Sequence, residues 1–160
     1  KTISGTSFIN PLHRSLQIAS PSDFGSHNAL RLACGSMTFI DFEYFGWDDP
    51  VKLVCDFYWH PGMNLSFQLR QQWLDSARTI FQNDIEFSKR LTAYLPLFGL
   101  RWCLIILNEF LKPEMSRRLH ANPIQTGAQS DICSQQLRKA KALLQEVKEQ
   151  FHHGSKVQAT

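Results

Sequence analysis

At 160 residues the chain is long enough for one domain with a substantial core, and 43% hydrophobic and 12% aromatic residues mark a folded globular protein. A formal net charge of +3 provides no basic surface of the kind that binds nucleic acid or an anionic membrane. The polar opening Lys1-Thr2-Ile3-Ser4-Gly5-Thr6-Ser7 has no apolar signal core, so a cytoplasmic protein is expected.

In chain order, residues 16–19 suit a short strand, ended by Ser20-Pro21-Ser22 because proline fixes φ and biases its predecessor towards extended geometry. Residues 29–34 read as a strand, Gly35-Ser36 as a turn and residues 37–40 as the returning strand. That hairpin places Asn28 just before it and Asp41 just after it. From Asp49 the period becomes helical. Asp49-Pro50 is an N-cap followed by proline at the first helical position, and Val51, Val54, Cys55 and Tyr58 share a face. His60-Pro61-Gly62 ends that helix. A long helical stretch over about 66–93 follows, with Phe67, Leu69, Trp73, Leu74, Ala77, Ile80 and Phe81 as its apolar stripe and Asn83-Asp84 as a possible break and cap.

Pro96 and Gly99 separate a helix over about 100–111, apolar nearly all round and expected in the middle of a bundle. The apolar stretch 95–111 contains Pro96, Arg101 and Asn108 and falls short of a bilayer span of about 20 residues, so no membrane segment is expected. A polar loop over 122–129 precedes a last helix over about 130–152. Its apolar side is Ile132, Leu137, Ala140, Leu144, Val147 and Phe151, and its charged side is solvated. A tail over 154–160 is expected to fray. Strands first and helices afterwards make an α+β layout dominated by helices.

Cys34, Cys55, Cys103 and Cys133 are widely separated and include no CxxC pair, which reads as reduced, mostly buried thiols. The six histidines show no metal-ligand spacing. The chemistry-bearing pattern is instead Asp23, Asn28 and Asp41. One carboxylate can orient an attacking hydroxyl, while an amide and a second carboxylate hold Mg2+ against nucleotide phosphates. The plainer reading of such residues is turn chemistry, with Asp23 and Asn28 capping a loop and Asp41 a strand end. The spacing across the hairpin and the Asp-Asp-Pro helix start favour the first reading. His27 reads as a surface or substrate-side residue without chemistry. Glu43 reads as a loop-stabilising or cation-contacting residue and Asp48 as solvated; Trp47, Tyr58, Trp59, Trp73 and Trp102 read mostly as core, with Trp47 and Trp59 near enough to the motifs to line a cleft.

The segments Pro21-Ser22-Asp23-Phe24-Gly25-Ser26-His27-Asn28, Phe39-Ile40-Asp41-Phe42-Glu43-Tyr44 and Gly46-Trp47-Asp48-Asp49-Pro50 resemble the aminoglycoside phosphotransferase and choline kinase-like family, which has the protein-kinase-like fold. The resemblance covers roughly residues 15–62. It implies the C-terminal lobe of that fold over 1–153, with the catalytic loop and hairpin at 15–45 and a helical subdomain at 49–153. It also implies an ATP- or GTP-dependent and Mg2+-dependent phosphotransferase of a small-molecule hydroxyl, with Asp23 catalytic and Asn28 and Asp41 as metal ligands. Two positions depart from the pattern. Pro21 stands where the family has histidine, and Lys52 stands where it has an aspartate after the proline. The eight glycines never reach GxGxxG spacing, so the N-terminal lobe with its phosphate-covering loop is expected to be missing, and the fragment alone to be inactive. The alternative from another class is a non-catalytic helical binding domain, a degenerate remnant of such a kinase.

Overall fold

In the computed structural model, which describes the backbone of residues 11–111 and 129–157 and side chains over 11–111 and 131–151, short strands come first and helices follow. This is an α+β arrangement, mostly helical. It divides into two compact units, Lys1–Phe98 and Gly99–Thr160.

In the first unit, β1 (Ile18–Ser20) pairs antiparallel with β4 (Gly46–Asp48), setting Ile18 opposite Asp48. The strand β2 (Ala29–Arg31) pairs antiparallel with β3 (Met37–Phe39), setting Ala29 opposite Phe39. The expected hairpin is therefore present, shorter by a few residues. Gly35 turns it at φ +89°, a left-handed value that favours glycine, and Leu32 N–H donates to Ser36 O at 2.8 Å across the turn. The β1–β4 pair was not foreseen, because a three-residue strand rich in Gly and Asp has no readable alternation.

The helix α1 (Pro50–Trp59) starts where expected: Asp49 Oδ1 accepts from Val51 N–H at 2.8 Å. Its stripe of Val51, Val54, Cys55 and Tyr58 is fully buried. Trp59 is core, as first read, rather than lining a cleft, and its indole N–H donates to Leu95 O at 2.7 Å. The helix α2 (Phe67–Ile80), capped by Ser66, keeps only the centre of its expected stripe. Leu74 and Ala77 are buried, and the Trp73 indole donates to Val54 O at 3.0 Å. Phe67, Leu69 and Ile80 are exposed, because α1 faces the middle of α2 and covers little of its ends.

Asn83-Asp84 does break the helical run. Asp84 Oδ1 accepts from Glu86 N–H and Asp84 O from Phe87 N–H, starting α3 (Phe87–Ile106). Pro96 and Gly99 do not divide that helix as expected. Proline deletes one helical N–H donor, and the helix continues through it. In consequence Phe87–Phe110 runs for 24 residues and holds an 18-residue window of mean hydropathy 1.4, long and apolar enough to cross a membrane by length and composition alone. A core helix meets the same criterion when mostly buried; Phe87, Leu91, Ala93 and Leu95 are buried, but only 28% of the apolar window is.

In the second unit, a 3-10 turn over Leu107–Phe110, which follows α3, meets α4 (Gln129–Val157). Cys103, Ile106, Ile132, Ala140, Leu143 and Val147 are buried. The bundle-centre expectation for residues 100–111 fails, since Leu100 and Leu104 are exposed. Among the described residues this unit has only one other long helix, too few to surround an all-apolar one. Leu137 and Phe151 are likewise exposed, and the helix extends through Val157 instead of fraying at 154. The expected loop over 122–128 and tail residues 158–160 lie outside the described residues.

Candidate functional site

The loop between β1 and β2 is held at its base by packing. Phe24 stacks into an aromatic cluster, with ring centroids 4.8 Å from Phe39, 5.7 Å from Phe57 and 6.5 Å from Trp73. These rings come from β3, α1 and α2, so the residue after Asp23 is fixed to three elements at once. Aromatic pairs of this kind contribute about 0.5–1.5 kcal/mol each beyond their area burial.

The backbone next to Asp23 is unusual. Ser22 has φ 68°, and Asp23 N–H donates to Pro21 O at 2.8 Å, an i→i+2 bond around a left-handed residue. That is the rare and strained form of a γ-turn. The turn is braced from outside. Lys52 Nζ donates to Ser22 Oγ at 2.8 Å while pairing with Asp48 Oδ2 at 2.9 Å and Asp56 Oδ2 at 3.6 Å. Sequence reading treated Asp48 as solvated and Lys52 as a mere departure from the family pattern. The structure makes Lys52 the tie between α1 and the loop.

Asp23 and Asn28 come together. Asn28 Nδ2 donates to Asp23 O at 2.9 Å and to Asp23 Oδ2 at 3.3 Å. With its nitrogen turned to Asp23, the amide leaves its Oδ1 as the atom able to meet a cation. Ile40 N–H donates to Asn28 O at 2.9 Å, continuing the hairpin ladder one step beyond β2 and β3. The backbones of Asn28 and Ile40 are thus joined, and Asp41 is the next residue, at φ 64°. Asp41 is exposed, as are Phe42 and Phe45 beside it. Beyond Asp41, a hydrogen bond to Glu43 and then its charge hold the Tyr44 phenol above its usual range, with burial and the Asp41 charge adding to the rise.

The sequence assigns His27 a surface or substrate-side role and His60 a helix-ending one, but does not reveal their contact with each other. His27 Nε2 lies 3.2 Å from Asp23 Oδ1, and the His27 ring stacks on the His60 ring with centroids 4.2 Å apart and planes 5° from parallel. Gly25 makes this possible: a Cβ there would come within 2.6 Å of the His27 ring. His60 follows the last residue of α1, and its Nδ1 accepts from Gly62 N–H at 3.1 Å. Burial, and then the neighbouring His27 charge, lower the His60 pKa, only partly offset by Asp23. A signal existed in the helix-ending His60-Pro61-Gly62, but 33 residues separate it from His27 and no local period links them.

Trp47 is exposed, as expected of a cleft residue, and carries the Arg14 guanidinium 3.9 Å above its ring. With Leu12, Gln17, Asp48, Asp49, Arg90 and Tyr94 it lines a cleft of about 260 Å³. The cysteines divide: Cys55 and Cys103 are buried with thiols pushed up by burial, whereas Cys34 is exposed at the hairpin turn and its thiol is lowered by hydrogen bonding to Ser36.

Comparisons with family models, curated proteins and solved structures found no match to this chain.

Proposed function

We propose that the chain is the catalytic lobe of a protein-kinase-like phosphotransferase that uses ATP or GTP with Mg2+ to phosphorylate a hydroxyl of a small molecule in the cytoplasm. The observation that supports this best is the Asn28 amide. Its nitrogen is spent on Asp23, its oxygen is left for a cation, and its main chain is bonded to the residue before Asp41. In this reading Asp23 accepts or orients the hydroxyl proton, while Asn28 and Asp41 hold the Mg2+ that bridges the phosphates. Charge neutralisation and positioning supply the catalysis.

The reading requires a second lobe to cover the nucleotide. The apolar side chains left exposed along the hairpin and its exit, among them Leu30, Met37, Phe39, Phe42 and Phe45, are in keeping with such a cover. The test is a steady-state assay paired with nucleotide titration on the protein carrying both lobes. Asp23→Asn should lower turnover by a factor on the order of 10² with nucleotide binding retained. Asp41→Ala should abolish Mg2+-dependent nucleotide binding.

A second reading, a non-catalytic remnant, is favoured by Pro21 and by the His27 and Asn28 bonds that already occupy both carboxylate oxygens of Asp23. Wild-type turnover in both variants would put the remnant reading first.

A further inference from the structure

Three side chains from separate segments converge beside the loop: Asp23 from the strained turn, His27 from the 3-10 turn over Ser26–Asn28, and His60 from the end of α1. One ligand atom from each lies within 4.8 Å of the others. We propose that Asp23, His27 and His60 bind a divalent d-block cation, Zn2+ in the first instance, at a site separate in composition from the Asn28 and Asp41 pair.

Two imidazoles and one carboxylate form a borderline donor set that suits Zn2+ and its first-row neighbours and ill suits Mg2+, which takes oxygen ligands. Around a tetrahedral Zn2+ with bonds of about 2.1 Å the ligand atoms stand about 3.4 Å apart, so the three groups need to close by little more than an ångström. Loading exchanges the His27–Asp23 hydrogen bond for two bonds to the cation. It also turns the two rings out of their parallel stack, so that a lone pair of each faces the ion. With Asp23 half exposed and His27 open at 30%, solvent has access to the fourth position. The site rests on these residues alone and not on the phosphotransfer reading.

The test is calorimetric titration of Zn2+ into the full chain without nucleotide, at pH 7.5, with Co2+ absorption as the spectroscopic check. A single tightest site is expected, with visible Co2+ bands of low-coordinate type and no displacement by millimolar Mg2+. His60→Ala and His27→Gln should each weaken it at least tenfold, while Cys34→Ser and the double change His152→Ala with His153→Ala leave it unchanged. Circular dichroism verifies folding. If His60→Ala does not fold, His27→Gln, at an exposed turn, decides alone. Wild-type affinity in a folded His27→Gln variant, or loss of the site with Cys34 or the His152 and His153 pair, would overturn the proposal. Because no nucleotide is present, either result leaves the phosphotransfer reading standing or falling on its own assay.

Discussion

Two ion-pair networks brace the first unit in different ways. Arg90 sits in the helical part with its side chain 9% exposed. It bonds Asp49 through Nε and Nη2 and Asp84 through Nη1 and Nη2, at 2.7–3.3 Å. Lys52 sits beside the candidate site with its side chain 25% exposed, sharing a single ammonium among Ser22, Asp48 and Asp56. A guanidinium fork fixes direction as well as charge, whereas an ammonium supplies a point charge on a flexible stem. The helical scaffold is thus locked by geometry, and the loop carrying Asp23 is held by a softer tie. Asp49 belongs to the first network twice over, as the cap of α1 and as a ligand of the arginine that begins α3.

The contrast can be broken most sharply at Arg90. Arg90→Ala leaves two carboxylates facing each other in a largely buried place and should lower unfolding free energy by about 3 kcal/mol in urea titration, as removal of one partner of a buried pair does. Arg90→Lys keeps the charge and loses the fork, so a loss of about 1.5 kcal/mol is expected. A loss below the error of the titration would show that geometry contributes little there. Lys52→Met should lower stability by only about 1 kcal/mol, because the ammonium itself is better solvated than the Arg90 guanidinium. Amide exchange should nonetheless speed up selectively at Asp23 and its neighbours, and uniform exchange across the unit would contradict the tie.

The smallest effect is on pH dependence. Burial alone would raise the Asp84 carboxyl, but hydrogen bonds and charge from Arg90 outweigh it and hold the carboxyl below its ordinary range. A lowered acid gives stability that is complete above the unfolded value of about 3.9 and is lost as pH falls through the lower folded value. Acid titration of stability should therefore be steeper below about pH 4 in the wild type than in Asp84→Asn.

What the sequence made legible was local. Asp49-Pro50 starts α1 and Gly35-Ser36 turns the hairpin as read, and the four-residue stripe of α1 is buried in full. Asp23 and Asn28 meet, as their spacing suggested. What stayed hidden depended on distance along the chain. His60 reaches His27 across 33 residues, and Arg90 reaches Asp49 across 41. Amphipathic periodicity also overstated burial. Phe67 and Ile80 fit the stripe of α2, yet no neighbour among the described residues covers them, since periodicity shows which face is apolar but not how much of it a partner reaches.

The indole bond from Trp59 to Leu95 has a practical consequence for watching this molecule with light. Trp59 is 1% exposed, beyond the reach of a collisional quencher, and its fluorescence should respond only when the contact between α1 and α3 opens. Trp47 is 56% exposed under a guanidinium that attracts anions, so iodide should extinguish its emission first. The emission that iodide removes first therefore reports on the β1–β4 edge and the most resistant part, from Trp59, on the core, with the half-buried Trp73 and Trp102 between them, without any label being added.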